Sequence, residues 1–332
     1  MPRLITNNST TNGKAYEYAC VLSIKEIVSK YRNVKIIENS SMSIARERYN
    51  TISDNEKKTM LKSAMAGINA ILTMEPRIIE DGSDDLEISL QSDDAGIAGD
   101  VRDVLVIRKS IDWEIGISVK HNHYALKHSR LSMDLDFGKK WFNIPCSSEY
   151  FEEIKPYFQE LKELKQQNVM WRDIENKDQR FYIPILNAFM KELNNKYKEY
   201  DSEVTKRMIS YLIGINDFYK LIGIDSQRIT RVIPFNMYGT LNKPAKNNNP
   251  IQEVQILELP TRIVELDFKK DSTTTLELIM DNGWQISFRI HNASSKVEPS
   301  LKFDVQLIGQ PTALFVIDMP WWFRGWSKWA IQ

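Results

Sequence analysis

The chain is poor in cysteine. Cys20 and Cys146 are the two cysteines among 332 residues, and they lie far apart with no CxxC pair. This excludes a disulfide framework and a cysteine-rich zinc module, and it favours a reducing cytoplasm. Long apolar segments are also missing: no run approaches the roughly 20 residues that span a bilayer. Met1–Leu4 leads into Asn/Thr/Ser-rich sequence instead of the apolar region of a signal peptide. We therefore expect a soluble protein of the cytoplasm, without a membrane partner.

Net charge is absent as well. The 44 lysines and arginines balance 44 aspartates and glutamates, so a globally basic protein is excluded and the local distribution of charge decides what the chain binds. Apolar residues make up 42% of the sequence, which is enough for a substantial core. The length fits two ordinary domains or one large α/β enzyme domain with insertions.

The charge that is present changes sign along the chain. Residues 81–103 contain eight acids and one base, whereas residues 104–140 contain seven bases, four acids and three of the four histidines. A charged run is most often a solvated face. An acidic cluster that runs directly into a basic one is less ordinary, because a cation-dependent site on a polyanion needs carboxylates for the metal and basic groups for phosphate. The eight acids are Asp81, Asp84, Asp85, Glu87, Asp93, Asp94, Asp100 and Asp103.

Hydrophobic patterning divides the chain into two regions. Residues 14–32 have helical spacing, and a second helix from the capping box Ser53-x-x-Glu56 to Met74 contains no proline. Residues 148–222 are helical in pattern and rich in Lys, Glu and Gln, and the chain from 229 onward is β-rich. We place the boundary after residue 147, giving regions 1–147 and 148–332.

Two strand-like segments carry the most specific arrangement. They cover residues 99–108 and 113–120, and the short polar connection Lys109–Asp112 fits a hairpin loop. A turn centred between Ile111 and Asp112 places Asp103 opposite Lys120, on one face of the sheet.

This arrangement resembles the core of PD-(D/E)XK nucleases. In that core an aspartate holds Mg²⁺, and an acid-x-lysine on the next strand supplies a second ligand and a cation. The resemblance assigns catalytic roles to Asp103, Ser118 and Lys120, with serine standing in the position of the acid. A serine hydroxyl does not replace the charge of a carboxylate, so the metal site needs another acid beside Asp103. The candidates are Asp100, Glu17 on the first helix, and Asp134 downstream.

Four stretches together are similar to the HaeIII family of type II restriction endonucleases. They are GKAYEYAC at 13–20, GDVRDV at 99–104, EIGISVKHNHYALKHSRLS at 114–132 and LDFGKKWF at 135–142. The resemblance implies an α/β (α+β) fold with a central mixed sheet flanked by helices. Region 1–147 would be the nuclease core, and region 148–332 the helical and β-rich part for DNA recognition and dimerisation. It further implies Mg²⁺-dependent cleavage of duplex DNA at GGCC, between the inner G and C.

Basic and polar residues beyond the lysine are candidates for contacts with the DNA backbone. We expect a helix beside the site to present Asn122, His123, Lys127, His128 and Arg130 to phosphates, and an ordinary solvated helix is the alternative. Arg231 lies in the stretch 226–252, which contains no acid, and is a further candidate.

A second hairpin is a candidate for reading bases. A three-residue loop Asp281–Gly283, with the glycine in the left-handed conformation, aligns Leu276, Leu278 and Met280 with Phe288, Ile286 and Trp284. It leaves a polar face of Gln285, Ser287, Arg289 and His291 that ends in Asn292. A β-ribbon fits the major groove and arginine is a common reader of guanine. The alternative is the solvent face of an ordinary sheet.

Other functions remain open at this point. A structure-specific or repair nuclease on the same core would cut by DNA shape, and Ser118 favours a DNA-binding protein that has lost catalysis. A binding module for a protein partner is disfavoured by the local change of charge. A palindromic site favours a homodimer, although a monomer that makes successive nicks is possible, and a cognate DNA methyltransferase would protect the host DNA.

Overall fold

The computed structural model of the chain describes residues 8–80, 82–92, 99–123 and 126–322. The chain forms two compact units. The first comprises 1–124, 215–257 and 313–332, and the second comprises 125–214 and 258–312. These units differ from the regions 1–147 and 148–332, because strands from after residue 215 complete the sheet of the first unit. The division of nuclease and recognition functions at residue 147 stays a prediction.

The first unit is built on a seven-stranded mixed sheet with the order β1-β2-β3-β4-β6-β7-β12. Its central pair, β4 and β6, is parallel, and the flanking pairs β3–β4 and β6–β7 are antiparallel. The strands are β1 (Val34–Ile36), β2 (Leu86–Leu90), β3 (Val104–Arg108), β4 (Trp113–His121), β6 (Phe218–Ile224), β7 (Ile229–Phe235) and β12 (Ile317–Pro320).

Among the described residues of this unit, three helices accompany the sheet: α1 (Asn8–Val28), α2 (Ser40–Thr51) and α3 (Asp54–Met74). The predicted capping box is present, since Ser53 accepts from the Glu56 amide while the Glu56 side chain accepts from the Ser53 amide. Gly67 lets α3 approach the sheet closely, because a Cβ there would lie 2.5 Å from Cδ1 of Leu221. Within the described ranges, no helix has the length and hydropathy required to cross a membrane.

The second unit combines four helices with a five-stranded antiparallel sheet of order β5-β11-β10-β9-β8. Aromatic side chains fill its core, where Phe189 packs against Phe137, Phe288 and Phe303 at ring-centroid distances of 4.8–5.8 Å. The helices are α4 (Phe137–Phe142), α5 (Ser148–Gln166), α6 (Ile183–Tyr200) and α7 (Ser202–Ile213). The strands are β5 (Lys127–Leu131), β8 (Ile263–Phe268), β9 (Thr275–Met280), β10 (Gln285–His291) and β11 (Leu301–Leu307).

The β9–β10 hairpin has the predicted register. Leu278 pairs with Ile286, Leu276 pairs with Phe288, and the Met280 amide donates to the Trp284 carbonyl. Gly283 has φ +77°, as the three-residue loop requires. Alternation of apolar and polar residues was sufficient to fix this register, because a shift of one residue would bury the polar face.

Two local predictions were wrong. The β3–β4 hairpin is closed by a short 3-10 turn at Lys109–Ile111 and by Asp112 in the left-handed conformation, so Val104 pairs with Ile117. Asp103 therefore lies opposite Ser118 instead of Lys120, on the same face because the shift is two residues. The expected helix after Lys120 is also absent, since Lys127–Leu131 forms β5 and pairs with β11.

Candidate active site

The site begins with Asp103, which immediately precedes β3. Its backbone amide donates to the carbonyl of Ile117, which fixes it beside the middle of β4. The carboxylate Oδ2 accepts hydrogen bonds from the Val119 amide (2.6 Å), Lys120 Nζ (3.0 Å) and Ser118 Oγ (3.3 Å). All of these bonds end on Oδ2, so Oδ1 has no hydrogen-bond donor among the described residues.

Lys120 and Ser118 share this face of β4 but differ in accessibility. The Lys120 side chain is 31% exposed and the Asp103 side chain 22% exposed, whereas Ser118 as a residue is 3% exposed. The lysine and the aspartate are therefore accessible from solvent, while the buried serine hydroxyl donates a hydrogen bond to Asp103. The structure brings together all three residues that the sequence assigned to catalysis.

Glu17 of α1 belongs to the same electrostatic cluster. It is buried, and its Oε2 accepts from Lys14 Nζ at 3.2 Å. Burial and, to a smaller extent, the negative charge of Asp103 raise the pKa of this carboxyl to about 7, against the opposing effects of Lys14 and Lys120. Glu17 is therefore a second carboxyl that lies close enough to Asp103 for the charge of Asp103 to act on it.

The other two candidate acids have different surroundings. Asp100 binds Arg102 through both carboxylate oxygens, at 2.8 and 2.7 Å, and its Oδ2 also accepts from Gln91 at 2.7 Å. Asp134 is exposed and belongs to the second unit, where its amide donates to Ser132 Oγ. Of the two candidates in the first unit, Glu17 is the one on which the charges of Asp103 and Lys120 act.

A second lysine, Lys220, was missed by sequence reasoning. It lies on β6 in register with Ser118 and is 4% exposed. Burial and, to a smaller extent, the positive charge of Lys120 lower the pKa of its ammonium to about 7, and the charge of Asp103 opposes both. The available signal was a single lysine within the otherwise apolar strand Phe218–Ile224, although its pairing with β4 is a contact across more than 100 residues of sequence.

The oxygen atoms of this cluster fit a Mg²⁺ ion. Mg²⁺ is usually bound through one or two carboxylates and keeps several waters or substrate phosphates as its other ligands. Asp103 Oδ1 and the Glu17 carboxyl are two oxygen donors of this kind, and they would hold such an ion. Among the residues that the structure describes, no group of three or more His, Cys, Asp or Glu side chains is placed to hold a metal ion. The chemistry of the donors therefore fits a cation that completes its coordination with substrate.

The predicted backbone contacts near Lys120 fall on different elements. Asn122 joins the ends of β4 and β6, because its amide donates to the Gly223 carbonyl and its side chain binds both the backbone and the carboxylate of Asp225. His123 is exposed just beyond it. Asn122 thus has a structural task at the edge of the site, and His123 is the more accessible of the two.

The other members of this set lie on β5. Lys127 donates to the Tyr211 carbonyl at 2.8 Å, with its ammonium 3.7 Å from the centre of that ring. Burial, with a smaller contribution from Lys140, lowers the pKa of Lys127 to about 8. The backbone of His128 pairs opposite Asp304 on β11, and Arg130 is exposed and donates to Ser300 Oγ.

Candidates elsewhere also have intramolecular partners. Arg231 forms two bonds of 2.8 Å to Asp318. Arg289 on β10 donates to Asp304 at 3.2 Å, yet its side chain remains 58% exposed.

The last three candidates are the two end residues of β10 and the residue that follows the strand. Gln285 and His291 are partly buried at the two ends of the strand. Asn292 donates to the carbonyls of Ser294 and Lys296, which shapes the following loop. Arg289 is therefore the most accessible member of the polar face that the sequence predicted.

Comparison with known proteins gives one consistent answer. The family model of the HaeIII restriction endonuclease matches residues 13–311. A curated relative, "Type II restriction enzyme HaeIII" from Haemophilus aegyptius, is 46% identical over 317 residues, which is 96% of this chain and 99% of the relative. No solved structure matches.

Proposed function

Because the chain belongs to the HaeIII restriction endonuclease family, we propose that it is a type II site-specific deoxyribonuclease that cuts duplex DNA at GGCC, between the inner G and C, with Mg²⁺ as cofactor. The observation that carries this proposal is the identity of 46% across nearly the whole of both chains. The cluster of Asp103, Lys120 and Glu17 supports it independently, since it combines carboxylates for a cation with a lysine for phosphate.

Within this proposal, Asp103 and Glu17 are the acidic ligands of Mg²⁺. Asp103 has Oδ1 available, and Glu17 supplies the carboxylate that Ser118 does not. When bound, the ion would polarise the scissile phosphate and lower the pKa of a bound water. The raised pKa of Glu17 fits this role, because a nearby cation stabilises the ionised form of a buried carboxyl.

Lys120 has the complementary task. Its ammonium is held 3.0 Å from Asp103, so its position is fixed before substrate arrives. There it orients the attacking water and stabilises the negative charge that develops on the phosphate in the transition state. Ser118 positions Asp103 through its hydroxyl.

The fold of the first unit supports a PD-(D/E)XK-like core. Asp103 immediately precedes β3 and Lys120 lies near the end of β4, within a mixed sheet accompanied by α1–α3. We propose that the helical and β-rich remainder recognises DNA, that a homodimer matches the two-fold symmetry of the target, and that a cognate methyltransferase protects the host.

For base recognition, Arg289 is the strongest candidate because of its exposure on β10. We expect Arg289→Ala to weaken specific binding by about 1–3 kcal/mol. The measurement is a titration of duplexes that contain GGCC or a mutated site, in Ca²⁺ to prevent cleavage. If the preference for GGCC is unchanged, Arg289 is removed from the recognition surface.

The overall function is tested by incubating the purified chain with a plasmid of known sequence, in Mg²⁺ or in EDTA, and mapping the ends. Discrete Mg²⁺-dependent fragments that end at GGCC are expected. Binding without cleavage would indicate the inactive DNA-binding protein that Ser118 favours, and cutting restricted to branched DNA would indicate a repair nuclease. Absence of DNA binding would overturn the proposal.

A further inference from the structure

The five-stranded sheet of the second unit has one face toward its core and one polar face. On β11, Leu301, Phe303 and Val305 are fully buried. Because successive side chains of a strand point to opposite faces, Lys302 lies on the polar face, which also carries the exposed Arg289 of β10. Lys302 was not among the residues that the sequence suggested for DNA contacts, although β11 pairs with both β5 and β10, which carry several of them.

The strand register places Lys302 between two other basic residues. It lies directly opposite Arg130 of β5 on one side and His291 of β10 on the other. Side chains in directly opposite positions share a face, with Cβ atoms about 4.5–5.5 Å apart, so this row is about 10 Å long. Arg130 is exposed and donates to the neutral Ser300 hydroxyl at 3.0 Å, while Lys302 and His291 are partly exposed.

This row is unfavourable in the protein alone. Like charges directly opposite each other destabilise a sheet, and no carboxylate among the described residues forms an ion pair with Arg130 or Lys302. The nearest acid of the face, Asp304, lies in the next row, where its Oδ2 accepts from Arg289 at 3.2 Å and from Gln306 at 3.3 Å. Burial and the charge of Arg130 lower the pKa of Lys302, and Asp304 offsets only part of this effect. A bound anion would remove the repulsion between the two cations.

We propose that Arg130 and Lys302 form a phosphate-binding row on the polar face of the second sheet, which holds the backbone of duplex DNA beside the base-reading candidate Arg289. The inference rests on the proposed nuclease function. Duplex DNA fits the row because it carries one negative charge per about 1.7 Å of its axis, so a row about 10 Å long meets more than one phosphate. Contacts with phosphate fix the position of the duplex without reading its sequence.

The proposal assigns opposite effects to the charge of Lys302 in the free and in the bound protein. Without DNA, this charge opposes Arg130, so its removal should leave the melting temperature equal or higher at low salt. With DNA, its removal should weaken binding. A lysine that merely supports the fold does not produce this pair of changes, because its removal lowers stability.

The experiment compares Lys302→Met and Lys302→Arg with the unaltered chain. A GGCC duplex and a duplex with a mutated site are titrated over a range of NaCl concentrations, at a fixed Ca²⁺ concentration that prevents cleavage. For Lys302→Met we expect affinity to fall about 10-fold at about 0.1 M NaCl for both duplexes, and the slope of log affinity against log salt to lose about one unit. The preference for GGCC should stay unchanged, and Lys302→Arg should keep the slope of the unaltered chain.

Two further variants keep the test decisive. Arg130→Met removes the exposed member of the row and should lower the salt slope by about one unit as well, which remains informative if Lys302→Met folds poorly. Lys269→Met is the matched control. Lys269 follows β8 of the same sheet, is 54% exposed and lies 3.7 Å from Glu277, so its removal should leave the salt slope unchanged.

The outcomes separate the proposal from its alternatives. Unchanged affinity and salt slope in both Lys302→Met and Arg130→Met would overturn the phosphate-binding row. A loss confined to the GGCC duplex would overturn it as well, because Lys302 would then contact a base. So would a loss of affinity together with a loss of stability that persists at high salt, which identifies a structural lysine. If the unaltered chain binds neither duplex, the proposed function itself fails, and that result is distinct from the others.

Discussion

Asp84 and Asp103 come from the same acidic run, yet the structure uses them in opposite ways. Asp84 accepts hydrogen bonds from Arg108, Arg32 and Ser110, which occupy both of its oxygens. The Arg108 guanidinium holds the pKa of this carboxyl well below its usual range. Asp103 is bound at one oxygen and keeps the other available, beside a lysine that is partly exposed.

The partners of Asp84 and Asp103 show that acids of one charged run can have different roles. The side chains of Arg32 and Arg108 are fully buried, so Asp84 completes a structural ion-pair cluster and is neither a solvated acid nor a metal ligand. Asp103 keeps its Oδ1 without a hydrogen-bond donor among the described residues, and a cation needs such an available carboxylate oxygen. The sequence shows the same residue type in both places, and the contrast depends on arginines from distant segments. Asp81, Asp93 and Asp94 lie outside the described residues.

The largest expected effect comes from removing the charge of Asp103. Asp103→Asn keeps the shape of the side chain but loses the ligand charge for Mg²⁺, so we expect cleavage to fall by at least about 10³-fold. Binding of a GGCC duplex in Ca²⁺ and the melting temperature provide the checks on fold. Asp84→Asn is the matched control: it should lower stability and leave the rate of the folded enzyme unchanged. Equal loss of activity in both variants would remove the distinction between the two acids.

The converse test concerns Arg108. Arg108→Met leaves Asp84 without its main partner and removes the donor to the Arg77 carbonyl, while the Glu80 carbonyl keeps the hydrogen bond from Arg32. Breaking a buried ion pair from one side costs about 3–5 kcal/mol, and we expect that loss in the free energy of unfolding measured with urea. The neighbouring Lys109, which pairs with Glu87 but is 71% exposed, is the control, and Lys109→Ala should change stability by less than about 1 kcal/mol. A small effect of Arg108→Met would mean that the cluster contributes little to the fold.

Glu75 represents a third state of an acid, buried and without a basic partner at hydrogen-bond distance among the described residues. Its Oε1 accepts from Tyr219 and from the Asn242 amide, while Oε2 has no partner. Burial raises its pKa from an ordinary 4.5 to about 7. The folded state therefore holds the proton more tightly than the unfolded state. The stability this gives is complete below pH 4.5 and is lost as the pH rises to about 7.

Glu75→Gln should remove this dependence. The amide keeps an acceptor for Tyr219 and does not ionise, so the variant should lose less stability than the unaltered chain between pH 4.5 and 7, by about 3 kcal/mol at most. Urea unfolding at a series of pH values measures the difference. If stability depends on pH in the same way for the two proteins, the pKa of Glu75 is the same in the folded and unfolded states.

Local sequence patterns correctly predicted the helix start and the hairpin register that depend on residues close together in the sequence. The capping box at Ser53 fixes the start of α3, and alternation around Gly283 fixes the β9–β10 register. The β3–β4 register was two residues off because its loop closes through a left-handed Asp112, which polarity does not reveal. β5 was mistaken for a helix because its partner β11 lies about 170 residues away. Lys220 was missed for the same reason: a parallel partner is separated by a long crossover.

Glu17 and Glu75 are the two acids that are hardest to tell apart, because both are buried carboxyls whose pKa values are raised to about 7. Burial acts on both, but the second cause for Glu17 is the charge of Asp103, which places it at the proposed metal site. Glu17→Gln should therefore raise the Mg²⁺ concentration for half-maximal cleavage by about 10-fold, while the rate at saturating Mg²⁺ changes much less. Stability should be equal or higher at pH 8, because the amide avoids a buried charge. Glu75→Gln serves as the control and should leave the Mg²⁺ requirement unchanged. If Glu17→Gln leaves it unchanged as well, Glu17 is a structural acid of the Glu75 kind, and Asp103 holds the cation with substrate and water alone.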